Sequence, residues 1–178
     1  MDERLKVDIT QSAWLNALPL FLGGLGSFFC GQSSRYVANK LGGLDKQRRL
    51  MSITGFIGAS ALIFTATQMK SAVPAMLAIG FASFCNDLAM PPSWGAAMDL
   101  GGRYAGTLAG AMNMIGNLGG AVAASAIPYL LKYTNNNWNV PMYVAAGVYL
   151  TGAFLWMGLD PVTPLDLGQD DHLEHQHA

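Results

Sequence analysis

The sequence predicts an all-α membrane protein with five transmembrane helices. Of its 178 residues, 52% are hydrophobic and only 12% are charged, about half of the roughly 25% that is usual in a soluble domain. The charges are clustered, which leaves long apolar runs close to the roughly 20 residues needed to cross the hydrocarbon core of a bilayer. One run also carries glycine and asparagine along a single helical face, which is unsuitable for a soluble core but typical of membrane helices around a polar cavity.

The predicted spans follow one another with short connections. A polar extracytoplasmic lead-in, residues 1–12, precedes them, and an acidic, disordered cytoplasmic tail, residues 160–178, follows them. The spans cover residues 13–31, 50–69, 72–98, 104–131 and 140–159.

The first span is just long enough to cross, and its glycines permit close approach of a neighbouring backbone. The segment that follows it, residues 33–49, contains five Lys or Arg against one acid, and we interpret it as a solvated loop. Because Lys and Arg stay on the cytoplasmic side, this loop is placed inside. The N-terminus is then outside and the C-terminus is cytoplasmic.

The second span is uncharged and has a face of small residues, whereas the third contains Asp87, Pro91 and Pro92. Two consecutive prolines should bend or break the third helix, and a broken helix in lipid must line protein or water. Asp87 is a carboxylate inside an apolar span, where a charge costs on the order of 3 kcal/mol. It can serve to couple a proton or cation. Alternatively, it can lie near a water-filled cavity or hydrogen-bond the helix break.

The fourth span has a glycine–asparagine face, defined by residues spaced alternately four and three apart. Such a spacing places them on one side of a helix; the residues are Gly106, Gly110, Asn113, Asn117, Gly120 and Ala124. Asparagines on this face can contact a substrate or bond to amides of other helices. The span also contains two G-x-x-x-G pairs, which predict close helix packing; they are formed by Gly106, Gly110, Gly116 and Gly120. Asp99 and Arg103, four apart at the preceding turn, can form either a pair that opens during transport or a static surface pair.

Several classes of function are excluded. A net charge of −1 gives no sign of a nucleic-acid partner, and Cys30 and Cys85 lack a metal or redox spacing. The histidines of the tail alternate with acids, but on a disordered segment they do not predict a specific metal site; they are His172, His175 and His177. No catalytic constellation lies on a folded element, so we predict neither an enzyme nor a cofactor nor a bound metal.

From Trp94 onward the chain reads W-x4-D-x3-RYAGTLAGAMNMIGNLGG, which resembles the eleventh helix and preceding loop of the major facilitator superfamily. The match is to its anion:cation symporter branch, which includes hexuronate, galactonate, phthalate and sialin-type transporters. Ala17-Leu18-Pro19, the basic segment and the ending Trp156 to Pro161 are also similar to that branch. The resemblance implies helices eight to twelve of a twelve-helix transporter.

The resemblance also implies site residues. Ser93 and Trp94 on the tenth helix, and Asn113 with Asn117 on the eleventh, match positions that face the substrate in the family. Trp94 could stack on a sugar-acid ring or gate the cavity, or it could anchor the helix at the membrane interface. The family's loop motif, G-x-x-x-D-R, is not matched in this sequence, because Gly31 is followed at that spacing by Arg35 and Tyr36.

The resulting hypothesis is the C-terminal portion of a secondary transporter for organic anions, sugar acids in particular, in the inner or plasma membrane. Its expected partners are the lipid bilayer, the anion, and H⁺ or Na⁺. Because alternating access needs two bundles, the chain must also pair with a separate N-terminal transporter half or with itself. The alternative is a non-transporting membrane interaction protein or a transporter remnant. A soluble helical bundle is the least favoured.

Overall fold

A computed structural model describes residues 9–164 of the chain, with side chains from residue 17 onward. Every regular element in this range is helical. A single 3₁₀ turn, Gly102–Tyr104, lies between the fourth and fifth of six α-helices, which are α1 (Ile9–Leu41), α2 (Leu44–Thr67), α3 (Ala72–Leu88), α4 (Met90–Gly101), α5 (Ala105–Tyr133) and α6 (Asn139–Gly158). The prediction for the histidine-containing tail lies outside the described residues.

The interpretation of residues 33–49 as a loop is wrong. Helix α1 continues to Leu41 and α2 begins at Leu44, so only Gly42 and Gly43 connect them. Gly42 has a φ of 75°, which reverses the chain without a steric penalty. Lys and Arg are good helix formers. The 33-residue α1 is about 50 Å long, which exceeds the roughly 30 Å of a hydrocarbon core.

The helix break predicted at Pro91 and Pro92 is confirmed. Helix α3 ends at Leu88, and the prolines occupy the first turn of α4, where their missing N–H groups cost least. The carbonyl of Asp87 would have bonded to the N–H of residue 91, which proline lacks. The Ser27 hydroxyl of α1 donates to that carbonyl instead, at 3.2 Å, so the break is satisfied by the neighbouring helix.

Helices α1, α2, α3 and α6 form the packed part of the fold. Helix α3 packs against α1 and α2, and α2 also packs against α6. Small residues bring the backbones together: a Cβ on Gly26 would collide with the Phe84 carbonyl, and one on Gly55 would lie 2.5 Å from the Cys85 carbonyl oxygen. Close packing through glycine, as expected of membrane helices, therefore occurs on both faces of α3.

Helix α5 lies at the margin of this bundle. It packs mainly on α4 and touches α6 little, and residues 113–125 are exposed on every face. An exposed apolar surface of this size marks an interaction site or contact with lipid. Helix α5 is therefore the element with most surface available to lipid or to another chain.

Within residues 9–164, three helical stretches are long and apolar enough to cross a membrane. They are Leu44–Thr67, the run Ala72–Tyr133 and Asn139–Gly158. The run of 62 residues contains the proline break and the 3₁₀ turn at Gly102–Tyr104. The structure thus describes an all-helical chain with three candidate spans, and the five-span count and orientation stay predictions.

Candidate functional site

Asp87 lies at the end of α3, beside α1. Its carboxylate accepts a hydrogen bond of 2.7 Å from the Asn86 amide, and it is half-buried. A Cβ on Gly23 would collide with this carboxylate, whereas one on Gly24 would meet nothing within 4 Å. Gly23 therefore makes the space for Asp87 next to α1. The helix break and Gly23 together place two groups close to the Asp87 carbonyl, namely the Asp87 carboxylate and the Ser27 hydroxyl.

Ser93 and Trp94 lie in the first turns of α4, just beyond the break. The Ser93 hydroxyl donates back to the Ala89 carbonyl at 2.7 Å, and Trp94 is 36% exposed. Trp94 lies eight residues before Gly102 and Asn113 nine after Tyr104, which corresponds to about 12 and 14 Å along their helices. The two residues are therefore at similar distances along the chain from the turn, on two helices that contact each other.

The two asparagines of α5 contact each other. The Asn117 amide donates to the Asn113 backbone carbonyl at 2.8 Å and lies 3.3 Å from the Asn113 amide oxygen. Both residues are exposed. Their bonds are thus within one helix among the described residues, and the amides form one polar patch with capacity to bind further groups.

The glycines of α5 are open in this structure. A Cβ at Gly106, Gly110, Gly116 or Gly120 would meet nothing within 4 Å among the described residues. Within the described part of the chain, no helix packs against this face. The predicted role of these glycines in packing stays a prediction about a partner.

The pairing of Asp99 with Arg103 requires correction. Asp99 pairs with Arg48 of α2, Oδ2 to Nη2 at 2.7 Å, and the Arg103 guanidinium lies 5.1 Å from the centre of the Tyr104 ring. Residues four apart face each other only on a continuous helix. Here α4 ends at Gly101, and Gly102, at a φ of 46°, directs the chain away.

Arg48 connects three parts of the fold, which we call the Arg48 cluster: Arg48, Asp99, Gly95 and Pro161. Its Nη1 donates to the carbonyl of Pro161, just after α6, at 2.7 Å. The side chain is 9% exposed, and a Cβ on Gly95 would lie 2.9 Å from Nη2. One guanidinium thus joins α2, α4 and the segment after α6, as its several fixed donors allow.

Sequence reasoning treated Arg48 as one of five basic loop residues and missed this role. A signal was present, because Arg48, Ser52, Gly55 and Ala59 are spaced four, three and four apart and are all buried in α2. The small-residue face of α2 therefore extends into the basic segment by one turn. Extending the helical period past the apolar boundary would have separated Arg48 from the exposed Lys46.

A hydrogen-bonded turn holds Pro161 in place beside Arg48. The Thr163 hydroxyl donates to the Asp160 carboxylate at 2.7 Å, and the N–H groups of Val162 and Thr163 donate to it at 3.1 and 3.2 Å. These bonds lower the pKa of Asp160 below its ordinary value of 3.8. The carboxylate is therefore charged at neutral pH, when the turn needs it as an acceptor.

The arrangement has the properties of a binding surface. Among the described residues it contains no group of side chains arranged to break a covalent bond. Hydroxyl, amide, indole and carboxylate groups lie around the α3–α4 break and on the exposed face of α5. Amides and indole N–H groups can hydrogen-bond a carboxylate or hydroxyl, and a half-buried carboxylate can hold a proton or cation. These groups are able to hydrogen-bond a small polar ligand.

Comparison with known proteins gives relatives of one kind. No family model and no solved structure matches the chain. A probable sulfoacetate transporter (SauU) of Cupriavidus necator is 27% identical over 96% of this chain and 40% of its own length. The chloroplastic ascorbate transporter of Arabidopsis thaliana is 25% identical over 85% and 28%, and a probable vesicular glutamate transporter (eat-4) of Caenorhabditis elegans is 26% identical over 85% and 27%.

The chain thus spans well under half the length of these relatives. They are anion transporters by name, and none of the three is named as an enzyme, which supports the prediction that the chain is not one. Together with the apolar helices, they support a multi-pass membrane protein connected with anion transport.

Proposed function

We propose that this chain is the C-terminal portion of a secondary transporter of the major facilitator type for small organic anions, coupled to a proton or sodium gradient. The observation that carries the proposal is α5, whose residues 113–125 are exposed on every face and combine glycine with two hydrogen-bonding amides. Such a helix needs a partner that covers the glycines and leaves the amides facing a cavity. The length of the relatives provides the second support, because each has more than half its chain beyond the matched part.

The anion is proposed to bind between α4 and α5. Trp94 would cover an apolar or ring face of the substrate, Ser93 and Asn113 would bond its hydroxyl or carboxylate oxygens, and Asn117 would support Asn113 through their contact of 3.3 Å. Sugar acids fit these groups because they combine a carboxylate with several hydroxyls. Cationic side chains that neutralise the carboxylate would come from the complementary half.

Asp87 is proposed as the coupling site. Asp87 is half-buried and lies close to the helix break. The Ser27 hydroxyl donates a hydrogen bond to its backbone carbonyl. Broken helices near the middle of a membrane commonly hold the coupling ion of secondary transporters. The carboxylate would take up a proton or sodium ion before or together with the anion.

Reconstitution tests the proposal. Liposomes holding the chain alone should not accumulate labelled sugar acid, sulfoacetate or ascorbate under an inward proton or sodium gradient. Liposomes that also hold the complementary N-terminal region of the sulfoacetate transporter relative should accumulate at least one of them. Transport by the chain alone, or the absence of any complex between the two halves, would refute the division of function proposed here.

Variants then test the sites in the active assembly. Asn113→Ala should lower uptake about tenfold or more, because a hydrogen bond to a charged group contributes about 1.5–3 kcal/mol. Met114→Ala, one residue along and 58% exposed, is the matched control and should change uptake less than twofold. Asp87→Asn should abolish the dependence on the ion gradient and keep anion exchange. Equal effects of Asn113→Ala and Met114→Ala would contradict the assigned face.

A non-transporting interaction protein is the second candidate, and the open glycine face of α5 supports it equally well. The nucleotide sequence just upstream of the coding region distinguishes the two candidates. A reading frame just upstream that encodes about seven spans with arginines in a cavity favours the transporter, and its absence favours the interaction protein.

A further inference from the structure

A groove runs between α2 and α6, and none of the candidate anion-site residues lines it. Its volume is about 610 Å³, within the range of about 300–1,000 Å³ that is usual for ligand pockets. Phe64 and Tyr143 line one end and Ile57 and Leu150 the other. Seven residues separate the ends along each helix, so the groove is about 10 Å long.

The middle of the groove is a hydrocarbon surface. Its lining includes Ala61 and Gly147, and the Ser60 hydroxyl there is already bonded to the Ala146 carbonyl at 2.9 Å. Both helices that form the groove are candidate membrane spans. If α2 and α6 cross a membrane, the apolar middle of the groove lies at the depth of the lipid acyl chains.

One end of the groove is polar. The Tyr143 hydroxyl lies 3.4 Å from the Thr67 hydroxyl and 3.4 Å from the Gln68 amide. Helix α2 ends at Thr67 and α6 begins at Asn139, so this end belongs to a membrane surface. Lys70 is exposed there, and Trp138, 61% exposed, is typical of the aromatic belt at such a surface.

We propose that this groove binds one acyl chain of an anionic phospholipid, with its headgroup at Gln68, Tyr143 and Lys70. The groove begins near the helix ends and continues inward for about 10 Å, most of the roughly 15 Å thickness of one leaflet, half of a 30 Å core. This order of groups matches that of a phospholipid. The apolar channel lies below, the hydrogen-bond donors of Gln68 and Tyr143 lie above it, and the Lys70 ammonium lies beside them. The binding does not depend on whether the chain transports anything.

Photolabelling of the full chain in vesicles of equal parts phosphatidylcholine and phosphatidylglycerol tests the site. The probe is phosphatidylglycerol with a diazirine on one acyl chain, and labelled residues are located by mass spectrometry. We expect labelling at Ile57 and Phe64 several-fold above that at Phe154 and Leu155, which are 75% and 71% exposed and lie outside the groove. Equal labelling at both places would mean ordinary surrounding lipid and would overturn the proposal.

Filling the groove provides the matched test. A Cβ at Gly147 would meet nothing within 4 Å, so Gly147→Leu should fold and lower labelling at Ile57 and Phe64 several-fold. Val148→Leu, at the adjacent position that is 66% exposed, should leave it unchanged. Ala61→Leu fills the groove from α2 and replaces Gly147→Leu if that variant is not recovered. Unchanged labelling in a folded filling variant would overturn the site.

The headgroup assignment is tested separately. With the diazirine on phosphatidylcholine instead, labelling at Phe64 should be lower, and Lys70→Gln should reduce the preference for phosphatidylglycerol about fivefold, the effect of one basic residue near an anionic surface. Lys132→Gln, in the last turn of α5, is the control for overall charge. Equal labelling by the two lipids in the unaltered chain would overturn the selection of an anionic headgroup.

Discussion

Replacement of Arg48 by alanine should destabilise the fold far more than replacement of any other basic residue in its segment. The variant removes two bonds of 2.7 Å, one to the Asp99 carboxylate and one to the Pro161 carbonyl. Pro161 is less than 2% exposed, so its carbonyl loses its donor where water does not replace it, at a cost of about 1–3 kcal/mol. Asp99 has a side chain 42% exposed, rehydrates readily and adds about 0–1 kcal/mol.

The expected loss is therefore about 1–4 kcal/mol in the free energy of unfolding. It can be measured by titrating the purified chain in mixed micelles with a denaturing detergent and following helix content. Lys46→Ala is the matched control, because Lys46 is exposed two residues earlier in the same helix and should change stability by less than about 0.5 kcal/mol. A value for Arg48→Ala as small as that of the control would refute the assignment of Arg48 as the connecting residue.

A double-mutant cycle isolates the ion pair within this loss. Residues that share a direct contact show coupling of about 0.5–3 kcal/mol, so Arg48→Ala and Asp99→Ala together should cost less than the sum of the two separate changes. Arg103→Ala should be additive with Asp99→Ala, since Arg103 lies against Tyr104 instead. Coupling between Asp99 and Arg103 in place of Arg48 would contradict the observed pairing.

Further predictions concern the turn after α6 and the contact between α1 and α3. Hydrogen bonds to Asp160 lower its pKa in the folded chain below 3.8. The contribution of these bonds to the free energy of unfolding is therefore present above pH 3.8, and it should be lost as the pH falls through the lowered pKa. Thermal unfolding of Asp160→Asn should lack that acid loss, and an identical pH profile in both proteins would contradict the turn. Gly23→Ala should destabilise the chain by about 1–3 kcal/mol, because its Cβ would collide with the Asp87 carboxylate, whereas Gly24→Ala should be neutral or stabilising; the same detergent titration compares them, and equal values would contradict the contact.

The local features of the chain followed from its sequence. Apolar runs and prolines act on their own neighbourhood, so the break at Pro91 and Pro92, the connection before residue 72 and the end of α6 near Asp160 were predictable to within a few residues. The basic segment was the exception. Its charges marked it as solvated, but charge does not end a helix, and the backbone stays helical up to Gly42.

What lies against each helix was decided only by the tertiary structure. The sequence shows glycine faces on several spans. Yet a Cβ added to Gly26 or Gly55 would collide with a backbone carbonyl, whereas one added to Gly106 or Gly110 would meet nothing within 4 Å among the described residues. It likewise contains five similar basic residues between positions 33 and 49, of which Arg48 is the buried one. The physical reason is that helix formation depends on residues a few positions apart, whereas burial and pairing depend on groups such as Asp99 and Pro161, which are distant in sequence and near only in the folded chain.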